Sequence, residues 1–194
     1  PSAKEAVQIA HEAGIVVRMI TGDHAITARA IGKDLGLGPG AITGPDFQKL
    51  SNDELSGRLP ELHVFGRVAP EDKLRLVSVM QERGEVVAMT GDAVNDAAAV
   101  KKADVGVAMG SGAEVSKQAA KMVLTDNNFA TLVHAIELGR DIYGKITGQI
   151  RYVVSNLFAV LSLFIIASLF GINDGNAMYP VQLLFVIFFI GMFP

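Results

Sequence analysis

Residues 89–96, MTGDAVND, place two carboxylates, Asp92 and Asp96, and the amide of Asn95 directly after the apolar run Val86 to Met89. A run of alanines that suits a helix follows. A strand that leads through an acidic turn into a helix predicts a ligand site, because ligands of parallel α/β sheets bind at the carboxyl ends of the strands. Oxygen ligands of this kind suit Mg²⁺, which takes one or two carboxylates plus a substrate phosphate. A surface turn with a helix N-cap uses the same residue types, and it stays open as the alternative.

The first 128 residues alternate between strand and helix patterns. Apolar runs predict strands at residues 15–20, 41–43, 62–65, 86–89, 105–109 and 122–124. Helical spacing and capping signals predict helices at residues 3–13 and 24–35, a short helix opened by the capping box of Ser51 and Glu54, and a helix from Pro70 to about Gly84. Strands separated by helices of this length predict an α/β fold with a mainly parallel sheet and flanking helices.

The pattern changes at Phe129. Residues 129–151 keep helical spacing and predict an amphipathic stalk helix, and residues 152–172 form an uncharged apolar segment of the roughly 20 residues that cross a bilayer. A buried core helix is the alternative, but such helices are rarely apolar on every face in a small domain. Residues 173–180 then form a predicted extracytoplasmic loop, and residues 181–194 a second, truncated transmembrane helix. The soluble part is assigned to residues 1–128.

Charge and composition narrow the partners. Lys145 and Arg151 precede the apolar segment and Asp174 is the one charged residue after it, so the positive-inside tendency predicts a soluble part in the cytoplasm. The net charge of −3 gives no indication of a nucleic-acid partner. The absence of cysteine excludes disulfide scaffolds and thiolate metal sites. The chain begins with Pro1 and ends inside an apolar run, and we expect it to be a piece of a longer polypeptide.

Three further stretches have residue types that serve phosphoryl transfer. Thr21-Gly22-Asp23 follows a predicted strand and precedes a helix, where a hydroxyl and backbone N–H groups can receive a phosphoryl oxygen. Lys73 lies in the first turns of the helix that begins at Pro70, and Arg67 precedes that helix. Taken singly, Asp23 is a simple N-cap and the two basic side chains are solvated surface groups. Together with the paired aspartates they supply the donors, the positive charge and the metal site that phosphoryl transfer needs.

Four motifs in fixed order resemble the phosphorylation domain of P-type cation-transporting ATPases. They are ITGDH (residues 20–24), PEDKLRLV (70–77), MTGDAVNDAAAVKKADVGVAMG (89–110) and VLTDNNFATL (123–132), followed by a long helix and an apolar span. The resemblance covers nearly the whole chain. Within the family, the sequence is similar to the branch of calcium, sodium/potassium and proton pumps rather than to the heavy-metal branch. It implies a partial haloacid-dehalogenase-like fold, an aspartyl-phosphate intermediate, and Mg²⁺ and ATP as cofactors. The implied partners are the transported cation, the lipid bilayer and N-terminal parts of the same pump.

The resemblance also implies roles for individual residues. Asp92 would coordinate Mg²⁺, with Asn95 and Asp96 completing the phosphate and metal loop. Lys73 would neutralise charge on the phosphate during transfer. Through the same resemblance, Thr21 and Gly22 would hold the phosphoryl group, with Asp23 on the nucleotide side and Arg67 reaching the nucleotide. The family's nucleophile, an aspartate in a DKTGT motif, is not in this sequence, so we expect the chain alone neither to form a phosphoenzyme nor to hydrolyse ATP.

The sequence departs from the family pattern at two kinds of position. Ala93 and Ala98 replace a glycine and a proline in the metal loop, and a Cβ at position 93 would cost about 1 kcal/mol if that position needs a positive φ. In the membrane, the positions of calcium-type ligands are occupied by Ala159, Ile187 and Gly191. Uncharged spans offer little to a dehydrated divalent cation, so the transported ion stays open. Two rivals to the pump also stay open, a membrane-tethered phosphatase of the same superfamily and a non-catalytic pump remnant.

Overall fold

The computed structural model of the protein describes residues 2–172 and 178–192. The chain forms two structural units, residues 1–135 and residues 136–194. The division predicted from the sequence into a soluble part, a stalk, two spans and a loop stays a prediction, and most of the loop, residues 173–177, lies outside the described residues.

The strands of the first unit form two parallel sheets. They are β1 (Met19–Thr21), β2 (Ala41–Thr43), β3 (Val64–Gly66), β4 (Ala88–Gly91), β5 (Val105–Met109) and β6 (Met122–Leu124). One sheet has the order β1-β3-β2 and the other β4-β5-β6, with parallel pairing throughout. The predicted parallel α/β fold is confirmed, but β1 and β4 each form an edge of their own sheet instead of joining into one.

Helices flank these strands, and local signals explain where they begin and end. They are α1 (Ser2–Glu12), α2 (Ala25–Leu35), α3 (Gly44–Lys49), α4 (Asn52–Arg58), α5 (Pro70–Glu82), α6 (Ala97–Lys102) and α7 (Glu114–Ala119). The capping box of Ser51 and Glu54 opens α4 as predicted. Pro70 begins α5, and the Asp72 carboxylate accepts the Ala69 N–H in its first turn. Gly36 ends α2 with φ +79°, a backbone conformation that residues with a Cβ rarely adopt.

Helix α5 connects the cores of the two sheets. Leu76 and Val79 pack with Phe65 of β3, whereas Val77 packs with Val87 and other residues around β4. Ile20 of β1 packs against both clusters. A fully buried aliphatic side chain contributes about 1.5–3 kcal/mol to folding. This packing fixes the N-terminal end of α5 beside the carboxyl ends of β1 and β4.

A long helix leaves the first unit and continues into the second. Helix α8 runs without interruption through Phe129–Leu169. Its first turns pack against α1, where Val133 is buried among Ala6 and Ala10. Within the described residues α8 is the one helix whose length and composition suffice to cross a membrane, and the shorter apolar helix α9 covers Pro180–Met192.

Candidate active site

The predicted phosphate-binding turn follows β1 directly. The Asp23 N–H donates to the Thr21 hydroxyl oxygen at 3.1 Å, which closes a tight turn around Gly22. The N-cap of α2 is His24, whose imidazole accepts the Ile26 N–H, so the interpretation of Asp23 as a simple N-cap is wrong. The Asp23 side chain is therefore not needed to begin the helix.

The acidic loop follows β4 and is held tightly against it. Gly91 ends β4, and a Cβ added there would lie 2.5 Å from the Asp96 Cβ and 2.9 Å from Val100 Cγ2. Residues 94–96 form a single 3₁₀ turn, and Asp96 is 6% exposed. Glycine at position 91 thus lets the buried carboxylate lie close against the end of the strand.

An ion pair joins the acidic loop to helix α5. The Lys73 Nζ lies 2.5 Å from the Asp96 Oδ1, and the two side chains are 14% and 9% exposed. Lys73 lies on α5, and Asp96 lies 23 residues further along the chain, in the 3₁₀ turn after β4. Because a charged hydrogen bond shielded from water is among the stronger ones, this contact fixes the lysine at the mouth of the acidic loop.

All but one of the predicted site residues line a single cavity of about 600 Å³. Its walls come from the ends of β1 and β4, the start of α5 and the tip of β5. The lining includes Thr21, Gly22, Asp23, Val68, Pro70, Lys73, Thr90, Gly91, Asp92, Ala93, Asn95, Asp96 and Met109. The structure therefore brings together the donors, the positive charge and the carboxylates that were predicted from separate stretches of sequence.

Arg67 does not line the cavity. Its backbone has φ +56°, and its N–H donates to the Asp23 carbonyl at 2.8 Å. The side chain is exposed. The structure thus supports a backbone contact of Arg67 with the turn after β1, whereas a contact of its guanidinium with a nucleotide stays a prediction.

The replacement of glycine by Ala93 causes no backbone strain. Ala93 has φ −100° and ψ 157°, an extended conformation open to any residue. The conditional cost of a positive φ at this position therefore does not arise. Ala98 lies in α6, where alanine is the residue best suited to a helix.

The donor set fits Mg²⁺ rather than a metal that needs a closed cage. Asp92 and Asn95 are exposed to the cavity, while Lys73 occupies one oxygen of Asp96. Within the described residues no group of three or more histidines and carboxylates could hold a metal by itself. Mg²⁺ keeps several waters and is typically bound by one or two carboxylates plus substrate phosphate, so an incomplete protein shell beside a roomy cavity suits it.

The TDNNF stretch ties the loop after β5 to the start of α8. The Asn127 Oδ1 accepts from the Ser111 N–H at 2.9 Å and from the Ser111 hydroxyl at 3.0 Å, and Asn127 has φ +53°. The Thr131 hydroxyl and then the Asn128 N–H bond to Asp126 and lower the pKa of that carboxyl. These polar groups shape the turn that begins α8.

Two residues near the site were not predicted as site residues. Asp72 is 6% exposed and accepts from the Gln48 amide as well as from Ala69. Ser116, on α7, is fully buried and donates to the Ala93 carbonyl. Asp72 could have been found from its place in the first turn of α5, whereas nothing in the sequence marks Ser116, because its partner lies on another element.

Comparison with known proteins identifies the family of this chain. A family model described as haloacid dehalogenase-like hydrolase matches residues 1–104, and a second model of the same description matches residues 74–136. The chain belongs to the haloacid dehalogenase-like hydrolases.

The curated relatives of the chain indicate a narrower class of protein than the family models do. The chain is 44% identical to calcium-transporting ATPase 1 of Lactococcus lactis over 94% of its length and 21% of that protein. It is 43% identical to human calcium-transporting ATPase type 2C member 2, over 94% of this chain and 20% of that protein. Among solved structures, a zinc-transporting PIB-type ATPase in the E2.Pi state matches with a TM-score of 0.64 and 28% identity, over 89% of this chain and 24% of that chain. The chain thus spans about a fifth of the length of these curated relatives.

The predicted resemblance to P-type cation-transporting ATPases is confirmed. The curated relatives named here are calcium-transporting ATPases, which agrees with the branch predicted from the motifs. A membrane protein is likewise supported by these relatives and by the length and composition of α8.

Proposed function

We propose that this chain is part of an ATP-driven cation pump that works through an aspartyl-phosphate. It supplies the Mg²⁺ and phosphate loop together with helices of the ion pathway. The observation that carries the proposal is the Lys73–Asp96 ion pair at the cavity where the turn after β1 meets the loop after β4. A phosphoryl group needs this combination of a fixed cation, neutral donors and a metal-binding carboxylate.

Each predicted site residue has a distinct part in this reaction. Lys73 stabilises the negative charge on the transferred phosphoryl group, and its partner Asp96 keeps the ammonium pointed at the loop. The Thr21 hydroxyl and the Gly22 N–H donate to phosphoryl oxygens. Asp92, exposed at the cavity, is the main protein ligand for Mg²⁺.

The remaining assignments concern the nucleotide and the metal. Asn95 and the free oxygen of Asp96 complete the metal and phosphate loop, and Asp23 with Arg67 faces the nucleotide. When bound, Mg²⁺ neutralises phosphate charge and acts as a Lewis acid on a phosphoryl oxygen.

The nucleophile comes from outside this chain. We propose that a further parallel strand lies between β1 and β4 and carries the aspartate at its carboxyl end. The two free strand edges and the cavity lined by the ends of both strands support this placement. Unpaired edges bind added strands through main-chain hydrogen bonds, so the extra strand would also join the two sheets.

The experiment is phosphorylation of the full-length protein that contains this chain. Membranes are incubated with radioactive ATP and Mg²⁺, and acid-stable label is measured before and after hydroxylamine. The proposal predicts hydroxylamine-sensitive label in the wild type and at least a hundredfold less in Asp92→Ala, a loss of the size seen when a charge-stabilising group is removed from an active site. Wild-type protein without such label, or Asp92→Ala with the full amount, would refute the assignment.

The membrane part sets the ion pathway and the orientation. We propose that the first unit lies in the cytoplasm, since Lys145 and Arg151 precede the apolar part of α8. Protease added to sealed, right-side-out cells should leave the first unit intact, and it should cleave that unit in inverted vesicles.

The positions that hold calcium in calcium-type pumps do not support calcium as the cation transported here. Ala159 on α8 and Ile187 on α9 are apolar and exposed. The burial of the third position, Gly191, lies outside what the structure describes. We propose that any cation is held by other groups of the full-length protein. Label formation measured against a series of mono- and divalent cations identifies the ion, and a requirement for Ca²⁺ that Ala159→Asp leaves unchanged supports ligands elsewhere.

A membrane-tethered phosphatase is the second candidate, because the family model that matches residues 1–104 describes a hydrolase without naming transport. It differs from the pump in needing no nucleotide. Mg²⁺-dependent hydrolysis of a small phosphate ester without cation-stimulated ATP hydrolysis would favour the phosphatase. Failure of both activities would favour the non-catalytic remnant.

A further inference from the structure

Ser116 connects helix α7 to the acidic loop. Its side chain is 0% exposed, and its hydroxyl donates to the Ala93 carbonyl at 2.5 Å. The residue that precedes α7 makes a second contact, because the Ala113 N–H donates to the Asp92 carbonyl at 2.7 Å. The backbone of the two residues that begin the acidic loop is therefore held from α7.

The Ala93 carbonyl has a second donor within the loop. The Asp96 N–H bonds to it at 3.0 Å and closes the 3₁₀ turn of residues 94–96. Two donors on one carbonyl fix the orientation of that peptide group. The position of the turn, and with it that of the Asp96 carboxylate opposite Lys73, follows from this orientation.

Backbone geometry alone does not hold the loop in place. Ala93 has an ordinary extended conformation, and residues 92–95 are exposed, so few apolar contacts restrain them. A hydroxyl inside a helix commonly bonds to the carbonyl four residues earlier, as Ser78 does to Leu74. Ser116 instead bonds to a carbonyl 23 residues away along the chain, in the loop that we propose binds Mg²⁺.

We infer that Ser116 is a positioning residue that keeps the Asp92–Asp96 loop in the conformation that binds Mg²⁺. The inference rests on the proposed function of that loop. Ser116 does not line the cavity, so it acts through the Ala93 peptide and not on the phosphate. Without the hydroxyl, the loop keeps one internal hydrogen bond at Ala93 and moves more freely, which weakens Mg²⁺ binding.

The test compares Ser116→Ala with Ser78→Ala and Ser116→Thr in the full-length protein. Ser78→Ala removes a similar hydroxyl-to-carbonyl bond on α5, and Ser116→Thr keeps the donor. Backbone hydrogen exchange of residues 92–98 is measured without nucleotide, with and without Mg²⁺. The Mg²⁺ concentration that half-saturates phosphorylation is measured in parallel.

For Ser116→Ala we expect faster exchange confined to residues 92–98 and an increase of about fivefold in the half-saturating Mg²⁺ concentration, the size that corresponds to one net hydrogen bond. Ser78→Ala should match the wild type in both measurements, and Ser116→Thr, which keeps the donor but adds a methyl group at a fully buried position, should need less Mg²⁺ for half-saturation than Ser116→Ala does. If Ser116→Ala cannot be purified, Ser116→Cys, whose thiol is larger than the hydroxyl and a weaker donor, takes its place and should show the same local effect.

Unchanged exchange at residues 92–98 and unchanged Mg²⁺ dependence would overturn the inference. Faster exchange spread equally over the first unit would overturn it as well, because it would indicate a purely structural role. A wild-type protein that shows neither phosphorylation nor protection by Mg²⁺ would instead refute the proposed function, so the two failures are distinguishable.

Discussion

The contact between Lys73 and Asp96 should contribute a large coupling free energy, which a double-mutant cycle can measure. The perturbations are Lys73→Met, Asp96→Asn and the double variant. The Lys73 Nζ lies 2.5 Å from the Asp96 Oδ1, and the two side chains are 14% and 9% exposed. Removal of the lysine therefore leaves a nearly buried carboxylate without its cation. Hydrogen bonds to charged groups contribute about 1.5–3 kcal/mol, and partial exposure of both side chains keeps the expected coupling in that range.

The assay is unfolding in urea of the full-length protein, followed by pulse proteolysis within the first unit. The exposed pair Lys49–Asp46, 2.9 Å apart with side chains 74% and 58% exposed, is the matched control. Its coupling should be much smaller because solvent screens exposed ion pairs. If the changes in the free energy of unfolding caused by Lys73→Met and Asp96→Asn sum to that of the double variant within about 0.5 kcal/mol, the two side chains are not coupled and the prediction is wrong, since independent sites add to this extent.

Three further predictions concern the residues around the site. Gly91→Ala places a Cβ 2.5 Å from the Asp96 Cβ, so we expect Mg²⁺-dependent phosphorylation to fall at least tenfold and stability to fall by about 1–3 kcal/mol, measured by labelling and by urea unfolding. Hydrogen bonds, first of all from the Val87 N–H, lower the pKa of Asp104. The contribution of Asp104 to stability is therefore complete above its unfolded-state pKa and is lost as the pH falls through its folded-state pKa. Asp104→Asn should make the free energy of unfolding depend less on pH in this acid range, measured from neutral pH downward. Asp72→Asn removes an acceptor from a buried carboxylate that accepts several hydrogen bonds, and it should destabilise the start of α5 by about 1–3 kcal/mol in the same unfolding assay.

The sequence predicted that the candidate site residues would lie together because their strands and turns follow general rules of parallel sheets. The TGD turn and the MTGDAVND loop were both predicted after strands, and parallel strands bring such ends to one edge. Strands β2, β5 and β6 have the predicted bounds. The local signals were sufficient there, because each strand is a short apolar run between residues that favour turns.

The bounds of β1 and β4 were predicted less well. The apolar run from residue 15 predicted a strand of residues 15–20, yet β1 covers Met19–Thr21. The run at Val86 predicted the start of β4, yet Val86 is 84% exposed and the strand covers Ala88–Gly91. Apolar character by itself indicates neither burial nor strand pairing at these positions, so a run that borders a sheet cannot be told from the strand itself.

Contacts between elements that are distant in the chain could not be predicted from the sequence. Lys73 was predicted as a charge near phosphate, but its pairing with Asp96 depends on α5 packing across two core clusters. Ser116 gave no signal, because a serine on a short helix is usually solvated or bonded locally. The ordinary φ of Ala93 likewise required the structure, since glycine in a related motif does not reveal which of its properties is used.

The most direct test of the account is phosphoryl labelling of the full-length protein beside the 194-residue chain alone, under identical ATP and Mg²⁺ conditions. Acid-stable, hydroxylamine-sensitive label is expected on the full-length protein and none on the isolated chain, because in the proposed function this chain supplies the phosphate and metal loop without the nucleophile. Such label on the isolated chain, or its absence from the full-length protein, would contradict the account.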